Sequence, residues 1–164
     1  MTSIILRLLS FSRMAQTRKP KLIVFDLGVA GHCRNGSIVD QRGRKIKHFP
    51  EVPALLERLQ SEGYELAVAS RTGEIRGAEQ LLELFDWNRF FTYKEIYPGC
   101  KKTHFSKFKK ATGLDYSEML FFDDEYRNIR DTVSIGVTAI LVDEGFDSGV
   151  LEEGLRKFAA GLKQ

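Results

Sequence analysis

The sequence predicts an α/β fold, an open parallel sheet with helices covering both faces. Short, almost wholly apolar runs recur along it: Leu22-Ile23-Val24-Phe25, Leu66-Ala67-Val68-Ala69 and Met119-Leu120-Phe121-Phe122. Segments with apolar residues three and four apart lie between them, the alternation expected of βαβ units. Each run also ends on a polar residue, Asp26, Ser70 and Asp123 in turn. In an open parallel sheet the strand carboxyl ends lie side by side, so these residues meet in one crevice.

Taken in order, Leu22 to Leu27 is apolar on both faces, as a central, doubly covered strand must be. Gly28 to Phe49 is the one irregular region, where Ile38-Val39 and Lys45-Ile46 around Arg42-Gly43 read as a small hairpin. Val52 to Gln60 places Val52, Leu55, Leu56 and Leu59 at helical spacing after Pro50, and Gly63 stops that helix. Tyr64 to Ala69 is the second core strand. Ile75 to Phe85 is a helix that aligns Ile75, Ala78, Leu82 and Phe85. Phe90 to Ile96 reads as a short strand closed by the Pro98-Gly99 turn. Thr103 is the expected N-cap of a helix running to Thr112, with Gly113 ending it. Met119 to Phe122 and Val137 to Val142 are the last strands, separated by a helix near Glu125 to Thr132. A final helix near Ser148 to Leu162 aligns Leu151, Leu155, Phe158 and Leu162 toward the core.

At 164 residues the chain has the size of one domain with its own core, and 43% hydrophobic with 29% charged residues is ordinary for a globular protein. The net charge of +3 resides in the first 21 residues, where Arg7, Arg13, Arg18, Lys19 and Lys21 meet no acid. The remainder carries 20 basic against 22 acidic residues, so no nucleic-acid-binding face is expected. Cys33 and Cys100 make neither a disulfide framework nor a zinc motif, which fits a reducing compartment. No apolar run approaches the roughly 20 residues that span a bilayer, so no membrane is expected as partner. Residues 1–19 read as an extension and 20–164 as the domain. The stretch Ile4 to Arg13 is acid-free with Arg and Ser, as transit peptides are. A plain extension with Met14 as a second start, in a cytoplasmic protein, is the preferred reading over mitochondrial targeting.

The crevice residues suit phosphoryl chemistry. A carboxylate directly after a four-residue apolar strand, Asp26, is costly to desolvate without a partner; a divalent cation or a reacting phosphorus would serve. Carboxylates also act as phosphoryl acceptors. A helix-capping Asp is the plainer alternative, though Gly28-Val29-Ala30-Gly31 is a poor helix start. Asp123 and Asp124 repel each other unless a cation is near, and magnesium takes one or two protein carboxylates with water and phosphate oxygens. One of the two acids can equally cap the helix at Glu125. Ser70, with Arg71 and Thr72, offers a hydroxyl and amides to a phosphate or serves as a routine cap. Lys101, after the turn of the third strand, can neutralise a transferring phosphoryl group and hold Asp26 ionised, where Lys101-Lys102 would otherwise be a solvated pair.

These residues resemble the haloacid dehalogenase superfamily of phosphohydrolases, and within it the eukaryotic magnesium-dependent phosphatase family. The resemblance covers about residues 20 to 160. It rests on Lys21-Leu22-Ile23-Val24-Phe25-Asp26-Leu27, on Tyr64 through Arg71-Thr72, on Glu95-Ile96-Tyr97-Pro98-Gly99-Cys100-Lys101 and on Phe121-Phe122-Asp123-Asp124-Glu125. Gln80 through Asp86 and Arg127-Asn128-Ile129 are similar too. The resemblance implies a Rossmann-like, doubly wound parallel sheet with a minimal cap or none. It implies Asp26 as nucleophile, Ser70 and Arg71 on the phosphoryl oxygens, and Lys101 balancing charge. Asp26, Asp123 and the Gly28 carbonyl would hold Mg2+, with Asp124 orienting Lys101 or a metal-bound water. The implied substrates are phosphorylated small molecules or proteins, either phosphotyrosine-like aryl esters or sugar phosphates. The resemblance sets no oligomeric state.

The chain departs from the family at Asp26-Leu27-Gly28, where the family has Asp-x-Asp. The second Asp is the general acid for the leaving group and then the base for water, and Gly28 supplies neither. The following segment is shorter than the family's by about a dozen residues, against the size expected of such a hairpin. His32 and Asp40 are the acid-base groups nearby in sequence. General acid-base help is worth roughly 10²–10⁴-fold, so alkyl esters suffer more than aryl esters. The alternative is a catalytically silent protein that binds phosphate or magnesium. A receiver domain is excluded because its acid pair follows the first strand. A cysteine phosphatase is excluded by Val39 and Ser106 six residues after Cys33 and Cys100, and a P-loop enzyme by the missing Gly-rich motif.

Overall fold

The computed structural model describes residues 17–28, 31–34, 37–40 and 43–162, and within 31–40 only the backbone and the Val39 side chain. Five parallel strands form the sheet: β1 (Leu22–Asp26), β4 (Glu65–Ser70), β5 (Tyr93–Ile96), β6 (Met119–Asp123) and β7 (Thr138–Leu141). Their order is β5-β4-β1-β6-β7, with β1 central. Five helices connect and cover them: α1 (Val52–Ser61), α2 (Ile75–Leu84), α3 (Lys101–Thr112), α4 (Tyr126–Ser134) and α5 (Ser148–Ala159). This is the expected Rossmann-like fold.

Strand alternation splits the core into two layers. Ile23, Phe25, Leu66, Val68, Leu120 and Phe122 face α1, α2 and α5, packing with Leu59, Leu82, Leu151 and Phe158. Leu22, Val24, Ala67, Ala69 and Phe121 face the other way, onto Phe105, Phe108 and Ile129 of α3 and α4. Gly154 lets α5 approach the sheet: a Cβ there would lie 2.5 Å from the Phe122 ring.

After β1 the chain turns to β4 and β5, then crosses back to β6 and β7. The direction reverses between β1 and β6, and at such a switch point the loops part and leave a crevice. Asp26 and Asp123 stand at the carboxyl ends of those two strands.

Several elements differ from the sequence expectation. The hairpin pairs β2 (Gly31–Arg34) with β3 (Ser37–Asp40) in antiparallel register, and the expected pairing survives as a single bridge, Val39 to Lys45. Asn35-Gly36, a stronger hairpin dipeptide than Arg42-Gly43, stands between the paired strands. Only Tyr93–Ile96 of the third core strand enters the ladder; Phe90 and Phe91 are buried in the core before it. Helix α3 starts at Lys101 with Cys100 at its cap, so Thr103 lies in its first turn, while Gly113 ends it at φ +73° as expected. Ile75 (38% exposed) and Leu162 (50%) point to solvent because their helices turn them off the apolar stripe or end before them. The expected extension lies outside the described residues up to 16; Arg18 lies 4.7 Å over the Phe158 ring. Among the described residues no helix is long and apolar enough to cross a membrane.

Candidate active site

Lys101 is the centre of the site. Its side chain is wholly buried, which is tolerable only with the charge matched. The Nζ lies 2.6 Å from Asp26 Oδ1 and 3.2 Å from Asp123 Oδ2, and it also donates to the Ala69 carbonyl. One ammonium on α3 thus ties together the ends of β1, β4 and β6.

Burial and charge act against each other on the two acids. Desolvation raises Asp26, and the Lys101 ammonium opposes it without cancelling it. Lys101 favours the ionised Asp26, as expected, while burial acts more strongly in the opposite direction. Desolvation, together with the Asp26 charge, pushes Asp123 up to about 6 against the opposing pull of Lys101.

A cation would resolve this tension. Asp26, Asp123 and Asp124 each present a carboxylate oxygen within 4.8 Å of the others. An all-oxygen set from three acids fits a hard divalent ion such as Mg2+. Asp124 is exposed on the rim, and the contacts of Lys101 run to Asp26 and Asp123 rather than to it.

The remaining residues frame the crevice. Ser70 ends β4 buried, its Oγ donating to the Leu27 carbonyl at 2.6 Å and accepting from the Thr72 N–H at 3.3 Å. Arg71 is turned onto the rim, donating to Gly99 O at 2.5 Å and to Asn128 Oδ1 at 2.9 Å. Asp123 rather than Asp124 accepts from the amide of Glu125, the residue just before α4, at 2.7 Å. Gly28 is exposed, and a Cβ there would meet only Asp26 Oδ2, at 3.7 Å. The side chains of His32 and Asp40 lie outside the described residues.

Two residues had no role assigned from the sequence, although Asn128 lies in the Arg127-Asn128-Ile129 string of the resemblance. Asn128, buried on α4, donates to Asp123 Oδ1 and Oδ2 at 3.2 and 3.0 Å and to Glu125 at 2.9 Å, fixing the carboxylate. Its position, five residues after Asp123 on the inward face of the next helix, was the available signal. His104, buried three residues after Lys101, is the second.

Beside the acids opens a cavity of about 540 Å3. Asp26, Asp123 and Asp124 border it, and Phe49, Phe85, Trp87, Phe91 and Phe146 are among its walls.

The acid phosphatase family model matches residues 28–161, most of the chain. The chain belongs to the acid phosphatase family. It is 47% identical to human magnesium-dependent phosphatase 1 over 156 residues, covering 87% of this chain and 89% of that protein. A haloacid dehalogenase-like hydrolase superfamily protein of Schizosaccharomyces pombe is 38% identical over 112 residues, covering 63% and 64% of the two chains. Among solved structures, a haloacid dehalogenase family enzyme from Bacteroides thetaiotaomicron in its magnesium complex aligns with a TM-score of 0.62 at 14% identity, over 82% of this chain and 98% of that one. The magnesium-complexed phosphatase domain of a Bacteroides fragilis protein gives 0.57 at 18% identity, over 90% of this chain and 41% of the other. These likenesses agree with the fold described above, and the family places the chain among phosphatases of the haloacid dehalogenase type.

Proposed function

We propose that this family member is a magnesium-dependent phosphomonoesterase that works through an aspartyl-phosphate on Asp26 and favours aryl over alkyl and sugar phosphates. The observation that carries this is Lys101, buried between Asp26 and Asp123 at the switch point of the sheet. That the curated relative is named magnesium-dependent supports the choice of ion.

Asp26 is the nucleophile: its carboxylate oxygen attacks phosphorus as the bond from phosphorus to the ester oxygen breaks, giving the aspartyl-phosphate and a phenolate or alkoxide, which takes its proton from water. Water then attacks the same phosphorus and releases inorganic phosphate, regenerating the carboxylate. Lys101 neutralises the charge on the transferring group, and Ser70 and the amides after it hold its oxygens, with Arg71 bracing the rim. Asp26, Asp123 and Asp124, with the Gly28 carbonyl, would hold Mg2+, which when bound offsets the negative charge of the carboxylates and phosphate.

Gly28 provides no proton for the leaving oxygen. A phenolate leaves with little protonation and an alkoxide does not, so Gly28 costs alkyl esters far more than aryl esters. The mainly apolar, aromatic walls of the cavity favour an aryl group, with Lys47, His48, Asp143 and Glu144 as further polar residues of the lining.

The test is hydrolysis of p-nitrophenyl phosphate with and without Mg2+, beside Asp26→Asn. Magnesium-dependent turnover that Asp26→Asn abolishes is expected. Absent turnover with retained magnesium and phosphate binding would favour the second reading, a silent binding protein, for which Gly28 is the specific argument.

A further inference from the structure

His104 has no part in the chemistry just described, yet it is wholly buried and lies one helical turn from Lys101. Its ring nitrogens face only carbonyl oxygens. Nδ1 lies 3.1 Å from Cys100 O; Nε2 lies 3.0 Å from Ser70 O and 2.9 Å from Tyr97 O. The ring stacks on that of Tyr97, centroids 4.3 Å apart and planes 12° off parallel.

Those carbonyls belong to three different elements. Ser70 ends β4, Tyr97 follows β5 and Cys100 caps α3. Two of them already have backbone donors: Ser70 O accepts from Tyr97 N–H at 3.1 Å, and Cys100 O from Thr103 N–H at 2.9 Å. At those two the imidazole is not needed to satisfy the backbone. What it adds is a cross-link between the strand end that carries Ser70 and the helix start that carries Lys101.

We propose that His104 is a positioning residue of the phosphoryl site, setting the Ser70 hydroxyl at its working distance from the Lys101 ammonium by tying β4, the loop after β5 and α3 together. It touches no reacting atom. The inference rests on the proposed phosphatase reading for its kinetic form, but its geometric form is independent of turnover. A misplacement of about 1 Å in such a site costs on the order of 10²-fold in rate.

Three variants test it. His104→Gln carries an amide with two N–H donors at the reach of Nε2, for Ser70 O and Tyr97 O. His104→Asn reaches only toward Cys100 O, and His104→Leu donates to none. With p-nitrophenyl phosphate and Mg2+, Leu and Asn are expected to lower kcat/KM by roughly 10–100-fold and to weaken competitive inhibition by inorganic phosphate in parallel. Gln should restore both to within a few-fold of native. Thermal melting run alongside separates folding from function, because a merely structural role would lower the melting point and leave kcat per folded molecule and phosphate inhibition unchanged. Equal impairment in Gln and Asn, or native kinetics in a folded Leu variant, would overturn the proposal. If the native chain shows no turnover, the phosphatase reading fails on its own. Calorimetric binding of inorganic phosphate with Mg2+ then decides: native and Gln binding more tightly than Asn and Leu supports the positioning role, and equal behaviour of all four chains overturns it.

Discussion

Gly28→Asp supplies the carboxylate that the resemblance to the haloacid dehalogenase superfamily implies two residues after Asp26. The structure has room for it: Gly28 is exposed, and its added Cβ would touch only Asp26 Oδ2, at an ordinary 3.7 Å. The introduced carboxyl, when protonated, would give its proton to the leaving oxygen, a contribution of about 10²–10⁴-fold. That corresponds to about 2.7–5.4 kcal/mol of barrier at ~1.36 kcal/mol per decade. The gain belongs almost wholly to alkyl esters, whose alkoxide needs the proton. The substitution also has a cost. A second carboxylate roughly 5 Å from Asp26 repels it by about 3 kcal/mol at an effective dielectric near 20, before any cation answers it. The assay is kcat/KM for glycerol phosphate and for p-nitrophenyl phosphate in both chains with Mg2+, with urea denaturation of each with and without the ion. The alkyl-to-aryl ratio should rise by on the order of 10²-fold, and the stability lost by the metal-free variant should return with Mg2+. An unchanged ratio in a folded, magnesium-binding variant would refute the argument that the missing acid limits this site.

Lys101→Met removes the shared counter-charge of two buried acids, so a loss of about 3–5 kcal/mol is expected in urea denaturation, partly recovered with Mg2+. Asp123 stands at about 6, above its unfolded carboxylate value. Its contribution to metal-free stability is therefore fully present below the unfolded pKa and is lost as pH rises through about 6. Stability curves of native and Asp123→Asn chains between pH 4 and 8 should differ by that fall, and parallel curves would contradict it. Asn128→Ala removes the amide that bridges both oxygens of the Asp123 carboxylate and loosens its orientation, and calorimetry should show magnesium affinity about 10–100-fold weaker. Gly154→Ala drives a methyl into the Phe122 ring, 2.5 Å away, and should lower stability by about 1–3 kcal/mol in urea denaturation.

What the sequence made legible follows from how the information is stored. Asp26, Ser70 and Asp123 were readable because apolar runs mark the strands, and in a parallel sheet the residue after each run falls in the crevice. Lys101 was readable from its place after a turn. His104 was not, because its partners are backbone carbonyls, which every residue has and no side chain announces. The net rise of Asp26 was also hidden, since it depends on how far burial in the crevice outweighs the Lys101 charge. The hairpin register was misplaced by weighing Arg42-Gly43 and not Asn35-Gly36. The mainly apolar cavity was invisible for a further reason: its walls come from β1, β4, β6, α1, α2, the segment after α2 and the loops around residues 48 and 145, and only the folded chain assembles them.

Lys101 gives the chain a built-in substitute for the ion. Sites assembled from acids alone often cannot close until a metal arrives, so folding and loading become one event. Here a covalently attached ammonium already stands between Asp26 and Asp123. A newly made chain can therefore complete its core before it meets magnesium, and chelation would silence it without sending it to the proteases that clear unfolded protein.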